Sequence, residues 1–507
     1  MNRTTLSLIA AGTALAAVTG FAALTAPDGS AAAGSTAEAE QRPVDRSSLL
    51  CPAPSTSDLA DTAYTSFTPK SAGQAGKGAA ELVGAARESG SGGSGKDDGK
   101  GDEKAKEKRP GKPVPTVKSP GKPVTEEVSG ADAPALVGSA DGALAPGWTV
   151  QQTTTVAAGS GRGVHGLACG APDTDFWFPG ASTAEERSDY VHLTNPDDTA
   201  AVVDIELFGS RGALESDVGE DIQVPPHSSV PVLLSTLTDE PQTNVTAHVT
   251  ARAGRVGAAV QSADDKLGGD WLPASADPAG SVVLPGIPKD ATSVRLVAFA
   301  PGEQDADLKL SLAGPTGSIV PAGNETLHVK SGMTAAVDLG DITKGEPGSL
   351  LLTPTEDSVP VVAALRVTRG EGARQETAFI PATAPVGERA TVADNRAKGS
   401  TLSLVAPPGK TAKVRVTASA GSEGGSPATK TYTVRGGTTL AVRPPVPSGL
   451  KGSYALTVEQ LSGTVHAART LELPEDGVPM FTVQTLPDDG GTITVPHAEQ
   501  DLSILQK

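Results

Sequence analysis

Three carboxylates and an indole stand together in "SADDKLGGDW", as Asp264, Asp265, Asp270 and Trp271. Several oxygens on one loop are what a calcium ion takes, but the spacing lacks the regular alternation of a calcium loop. The stretches that match it downstream, "TRGEGARQE" and "LELPEDG", do not keep the acids. The expectation is a solvated turn, with these four residues as the candidate ligand-contact loop of a binding surface. The seven histidines, at 165, 192, 227, 248, 328, 466 and 497, include no pair with metal-ligand spacing on a helix. No strand-to-helix nucleophile elbow, phosphate-cradling loop or dinucleotide fingerprint is present. No catalytic residue, metal or cofactor is therefore assigned, and a protein without enzymatic activity is expected.

The two cysteines carry the remaining chemistry. Cys51 in "CPAPST" and Cys169 in "CGAPDT" share the pattern C-x-A-P-x-T. Matched settings, with no Cys-x-x-Cys spacing and no clustered metal ligands, point to one disulfide formed in an oxidising compartment. The N-terminus agrees with that compartment. Arg3 precedes the uncharged run Leu6 to Ala26, which reads as an export signal with small residues for cleavage after Ala33. The run is also long enough for an uncleaved membrane anchor, which stands as the alternative. Either way the expected location is extracytoplasmic, secreted or held at the outer face of the cytoplasmic membrane.

These residues must be positioned by a chain of 507 residues with 59 Gly, 41 Pro, 37% hydrophobic residues and only 3% aromatics. Such a mixture suits short strands and many turns spread over several domains. A formal charge of -18 argues against nucleic acid as a partner, because phosphate binding needs clustered Lys and Arg. Residues 87–130 have no aromatic and few large apolar residues, so they are expected to form a disordered, charge-mixed loop.

Beyond Ala171 the chain repeats. The pattern V-x-A-A recurs at Val256, Val361 and Val465, at intervals of about 105 residues. Alternation such as Val203, Ile205 and Leu207 against Asp204 and Glu206 reads as half-buried strand. "YVHLTNPDDTAAVVDIELFG" and its two counterparts read as a hairpin opening each copy. The junctions "FWFPGA", "DWLPAS" and "AFIPAT" are expected to bury Phe178, Leu272 and Ile380. About seven strands per copy predict an all-β chain of tandem immunoglobulin-like β-sandwich modules, with a β-propeller as the alternative. The expected divisions are residues 1–33 for the signal or anchor and 34–170 for a small N-terminal β unit interrupted by the charged loop. Three modules follow, at 171–274, 275–382 and 383–507.

With its leader, paired C-x-A-P-x-T sites, "HLTNP" turn and "WLPAS" junction, the chain resembles an uncharacterised family of exported proteins from high-GC Gram-positive bacteria. Members of that family are commonly encoded close to envelope glycosyltransferase and sugar-phosphate genes, so the resemblance implies work beside cell-envelope glycan assembly. The function expected is that of a non-catalytic binding or scaffold component whose partner is an envelope glycan or envelope-assembly protein. The alternatives are a secreted hydrolase with dispersed catalytic residues and a passive wall-spanning stalk. Oligomeric state is left open.

Overall fold

Alternating burial is the rule that builds each element. In Ala412–Ala418 the residues Ala412, Val414, Val416 and Ala418 are buried while Lys413 and Arg415 are exposed, as a two-residue side-chain period requires when one sheet face is covered. The structure, a computed structural model, describes residues 40–71, 76–87 and 114–495. The expected export segment and residues 88–113 of the expected charged loop lie outside these. The chain divides into two units, Pro43–Thr492 and a small one formed by the chain ends. In the small unit Gln41 donates to Thr494 at 2.9 Å, within the paired strands Glu40–Pro43 and Thr492–Val495.

The large unit is all-β and consists of antiparallel two-sheet sandwiches, as the sequence predicts. Module 1 shows the plan. Its seven main strands are Asp175–Ala181, Arg187–Thr194, Ala201–Gly209, Ser228–Leu233, Val245–Ala253, Gly257–Asp264 and Gly268–Leu272. Strands one, five and three form one sheet in that order, and strands four, two, six and seven form the other. The architecture is that of an immunoglobulin-like sandwich, but the order within the sheets differs. In immunoglobulin domains the second strand sits in the same sheet as the first, whereas here it sits opposite. The segment expected to open each copy as a hairpin is therefore an arch between sheets. Leu193 on one side and Val203 on the other enter the same core.

Modules 2 and 3 repeat this order, and so does the N-terminal unit. There the strands are Arg46–Cys51, Ala60–Phe67, Ala80–Gly84, Val124–Ser129, Leu136–Asp141, Thr149–Val156 and Gly163–Ala168, paired one-five-three and four-two-six-seven. The expected loop 87–130 thus ends in a strand. Val124–Ser129 pairs along Ala60–Phe67, and Val114 and Val117 are buried in the N-terminal core. Few as they are, these valines bury enough to order their stretch, which averaging over the charged segment conceals.

The four sandwiches close on one another. Leu167 of the N-terminal sandwich packs with Ala259 and Trp271 of module 1. Ala364 and Phe379 of module 2 enter the core of module 1. Ala468, Phe481 and Val483 of module 3 enter the core of module 2. Ala393 and Ala455 of module 3 meet Phe67 of the N-terminal sandwich and complete the cycle. The seventh strands, Gly163–Ala168, Gly268–Leu272, Glu376–Pro381 and Phe481–Thr485, touch in the same cyclic order and form a central hub.

Closure explains the V-x-A-A pattern. Each Ala pair lies in a sixth strand, opposite the second strand of its own sheet, with Leu193 facing Ala258, Ala298 facing Ala363 and Leu404 facing Ala467. In modules 2 and 3 the first alanine faces its own core, and the second faces the preceding module. Small side chains let two sheets approach on both faces. The expected burial of Phe178, Leu272 and Ile380 holds, all three being fully buried. However, "FWFPGA" is a first strand and the other two junction motifs are seventh strands.

Candidate functional site

The hub is polar inside. Asp270, in the seventh strand of module 1, is fully buried. Its Oδ1 accepts the amides of Gly166 (3.0 Å) and Trp271 (2.8 Å), and its Oδ2 accepts the hydroxyl of Thr482 (2.9 Å). Thr482 belongs to module 3, so this bond spans one diagonal of the ring. Arg162 of the N-terminal sandwich spans the other, with its Nε donating to Glu376 of module 2 at 2.7 Å and its Nη2 to the Gln375 carbonyl at 2.8 Å. The second Glu376 oxygen has no hydrogen-bond partner. Gly166 is required beside the Asp270–Thr482 contact, because a Cβ there would overlap Gln484 and Thr482.

Burial sets the charge state of these groups. Desolvation holds the Asp270 carboxyl well above the usual carboxylate range, against the pull of its hydrogen bonds, and the charge of nearby Glu376 pushes the same way. Desolvation likewise raises Glu376 to about 7 although Arg162 opposes it. His165, buried beside them with Nε2 2.7 Å from the Gly161 carbonyl, is lowered to about 4 by burial. A carboxyl that favours the neutral form, as Asp270 does, holds its hydrogen bonds without a buried charge, and Glu376 is offset by the Arg162 guanidinium, which together suit a structural joint. Among the described residues, no group of three or more His, Cys, Asp or Glu could hold a metal ion, and no helix is long and apolar enough to cross a membrane.

The sequence-predicted residues divide. Cys51 and Cys169 form the expected disulfide, joining the ends of the first and seventh strands of the N-terminal sandwich beside Trp148. Asp264 ends the sixth strand of module 1 and shapes the turn, its Oδ1 accepting the amides of Lys266 (2.9 Å) and Leu267 (3.0 Å). Asp265 is exposed in that turn. Asp270 and Trp271 do not join them. Both are buried in the hub, so the expected four-residue contact loop is corrected to a strand end and turn, holding Asp264 and Asp265, followed by a central strand, holding Asp270 and Trp271. The physical reason is that the seventh strand is covered by neighbouring modules, which makes its polar residues partners of one another.

A cleft of about 450 Å³ opens between the N-terminal sandwich, module 1 and module 3. Its walls include Leu49, Leu50, Trp148, Leu167, Ala258, Ala259, Pro273 and Leu486, with polar groups from His192, Thr194, Thr391, Gln484, Asp488 and Asp489. His192 meets Trp271 edge-on at 5.2 Å, and burial lowers it to about 4, so it stands neutral. Sequence reasoning missed the cleft and the hub partners Arg162, Glu376 and Thr482. The motifs "DWLPAS" and "AFIPAT" mark two of the seventh strands, but nothing in a linear repeat says that those strands meet.

A domain family of unknown function, DUF5719, matches residues 124–445, a span that begins at the fourth strand of the N-terminal sandwich and ends within module 3. No curated protein and no solved structure matches the chain. With most of its length inside that match, the chain belongs to the DUF5719 family.

Proposed function

We propose that this chain is a non-catalytic binding or scaffold component of the cell envelope, working outside the cytoplasmic membrane beside envelope glycan assembly. The observation that carries the reading is the cleft, a largely apolar recess whose walls come from three sandwiches fixed to one another by buried hub contacts. Concave, preformed, mostly apolar recesses with a few polar groups are the usual form of a binding site. Both oxygens of Asp270 and one of Glu376 are committed to protein partners, which fits a structural role better than acid-base turnover. The disulfide and the leader-like run Leu6 to Ala26 support an extracytoplasmic place of work. The family resemblance described above supplies the link to glycans.

The test is retention without turnover. The full chain, immobilised and exposed to purified envelope glycan and to envelope extracts, is expected to retain glycan or a glycan-assembly protein and to release it unchanged. Shortened glycan in the eluate, with that activity abolished by one Asp, Glu, His or Ser substitution that leaves folding intact, would establish the hydrolase instead.

A further inference from the structure

The cleft lies at one of four equivalent ring junctions, and these junctions are filled differently. Where module 1 meets module 2, Trp177 of a first strand packs on Phe299 of a second strand at 5.4 Å between ring centroids, and Phe299 lies opposite Val362. Where the N-terminal sandwich meets module 1, the same places hold smaller groups. Leu50 precedes the core residue Cys51 as Trp177 precedes the core residue Phe178. Thr194 stands in the position of Phe299, and it faces Gly257 where Phe299 faces Val362. Leu50 already fills the space over Gly257, since a Cβ there would lie 2.8 Å from the Leu50 Cβ. At the junction of modules 2 and 3 the same places hold Val283 and Val405, which pack together with Ala313 and Leu351, whereas here open space remains beside Leu50, in the cleft lined by Leu50, Thr194 and Ala258.

The rim has a sign. Asp488 and Asp489 line it, and no Lys or Arg does so among the described residues. Asp489 is paired with Arg389 at 2.6 Å, whereas Asp488 is exposed and held by the amides of Glu388 (2.9 Å) and Gly490 (2.8 Å). Two carboxylates against one guanidinium leave a local negative charge at the mouth of an apolar recess. His192 on the wall is neutral and adds no cation.

We propose that this cleft binds a small ligand with a flat apolar body of one or two rings and a positively charged head. The ring system takes the place that Trp177 and Phe299 hold at the neighbouring junction, and the cation faces the exposed Asp488, since Asp489 is taken up by Arg389, Thr391 and Gly491. The proposal goes beyond the reading above: it shares the cleft with that reading and does not depend on the envelope role.

Tryptamine is the probe, with indole-3-acetate as its anionic counterpart, titrated into the full chain by calorimetry. Saturable binding of tryptamine is expected, with indole-3-acetate weaker by about tenfold or more because the carboxylates repel it. Thr194→Phe, which restores the aromatic group of the neighbouring junction, should reduce tryptamine affinity by about tenfold or more. Should that buried change overpack the junction, Ala168→Trp reads the same effect, because Ala168 lines the cleft from an exposed position. Absence of saturable tryptamine binding, equal affinity for the anion, or unchanged binding in a folded variant would each overturn the proposal. Tryptamine binding without retention of envelope material would leave the cleft standing and remove the envelope role, and the opposite result would remove the cleft alone.

Discussion

At the scale of single residues, the hub couples the fold to protons. Glu376 is raised to about 7 in the folded chain, above its unfolded value, so folding takes up a proton at this group between those two values. Its contribution to stability is fully present below the unfolded carboxylate range and is lost as pH rises through about 7. Asp270 acts in the same direction. His165 and His192, both lowered to about 4, pull the opposite way as pH falls through the histidine range. The signal is therefore read as a difference between variants. Relative to the parent chain, Glu376→Gln should gain stability between pH 5 and 9, by up to about 3 kcal/mol in urea titrations. Asp270→Asn should gain in the same direction, since an amide oxygen can still accept the Gly166 and Trp271 amides. A pH-independent difference for both variants would mean that the hub carboxyls are ionised in the fold. The disulfide makes a second residue-scale prediction. Thiol titration of the denatured, unreduced chain should find no free thiol, and reduction should lower the melting temperature. Closure of a loop of 118 residues is worth at most about 5 kcal/mol in the chain-entropy model.

At the scale of elements, alternation and period were legible, and partner faces were not. A strand such as Ala412–Ala418 announces its buried side through Val414 and Val416 against Lys413 and Arg415. The Ala pairs announce only that small groups are needed. From alternation alone, one alanine of each pair should face a core and the other should tolerate change. The structure removes that difference in modules 2 and 3, because the outer face of the sixth strand is the floor of the preceding module. Ala364→Glu should therefore be as damaging as Ala363→Glu. Each places an unpaired carboxylate and extra volume where no water enters, and each should cost about 3 kcal/mol or more by thermal or urea unfolding. In module 1 the pair is unequal. Ala258 is half-buried and Ala259 is buried, so Ala258→Glu should be the mildest of the series. A well-tolerated Ala364→Glu would mean that modules 1 and 2 do not pack as described. The N-terminal β unit was expected, but its likeness to the three modules escaped the sequence reading for a related reason. It lacks the V-x-A-A signature, carrying Gln151 and Gln152 in its sixth strand, and the charged segment separates its third strand from its fourth.

At the scale of the whole molecule, the sandwich class was readable from strand count and spacing, whereas closure was not. Closure depends on side chains that enter a neighbour's core, such as Phe379 in module 1 and Phe481 in module 2, and each looks in sequence like an ordinary core residue of its own strand. Both the hub and the cleft depend on it: without closure, Asp270 would have no Thr482, Glu376 no Arg162, and the cleft no third wall. The direct measurement is small-angle X-ray scattering on residues 43–492 in dilute solution. Four sandwiches closed on a common hub should scatter as one compact body with a radius of gyration of about 22 Å, the value expected for a single globule of that length. A radius above about 35 Å, as expected for four such domains strung end to end, would contradict the closed ring and with it the site that the ring creates.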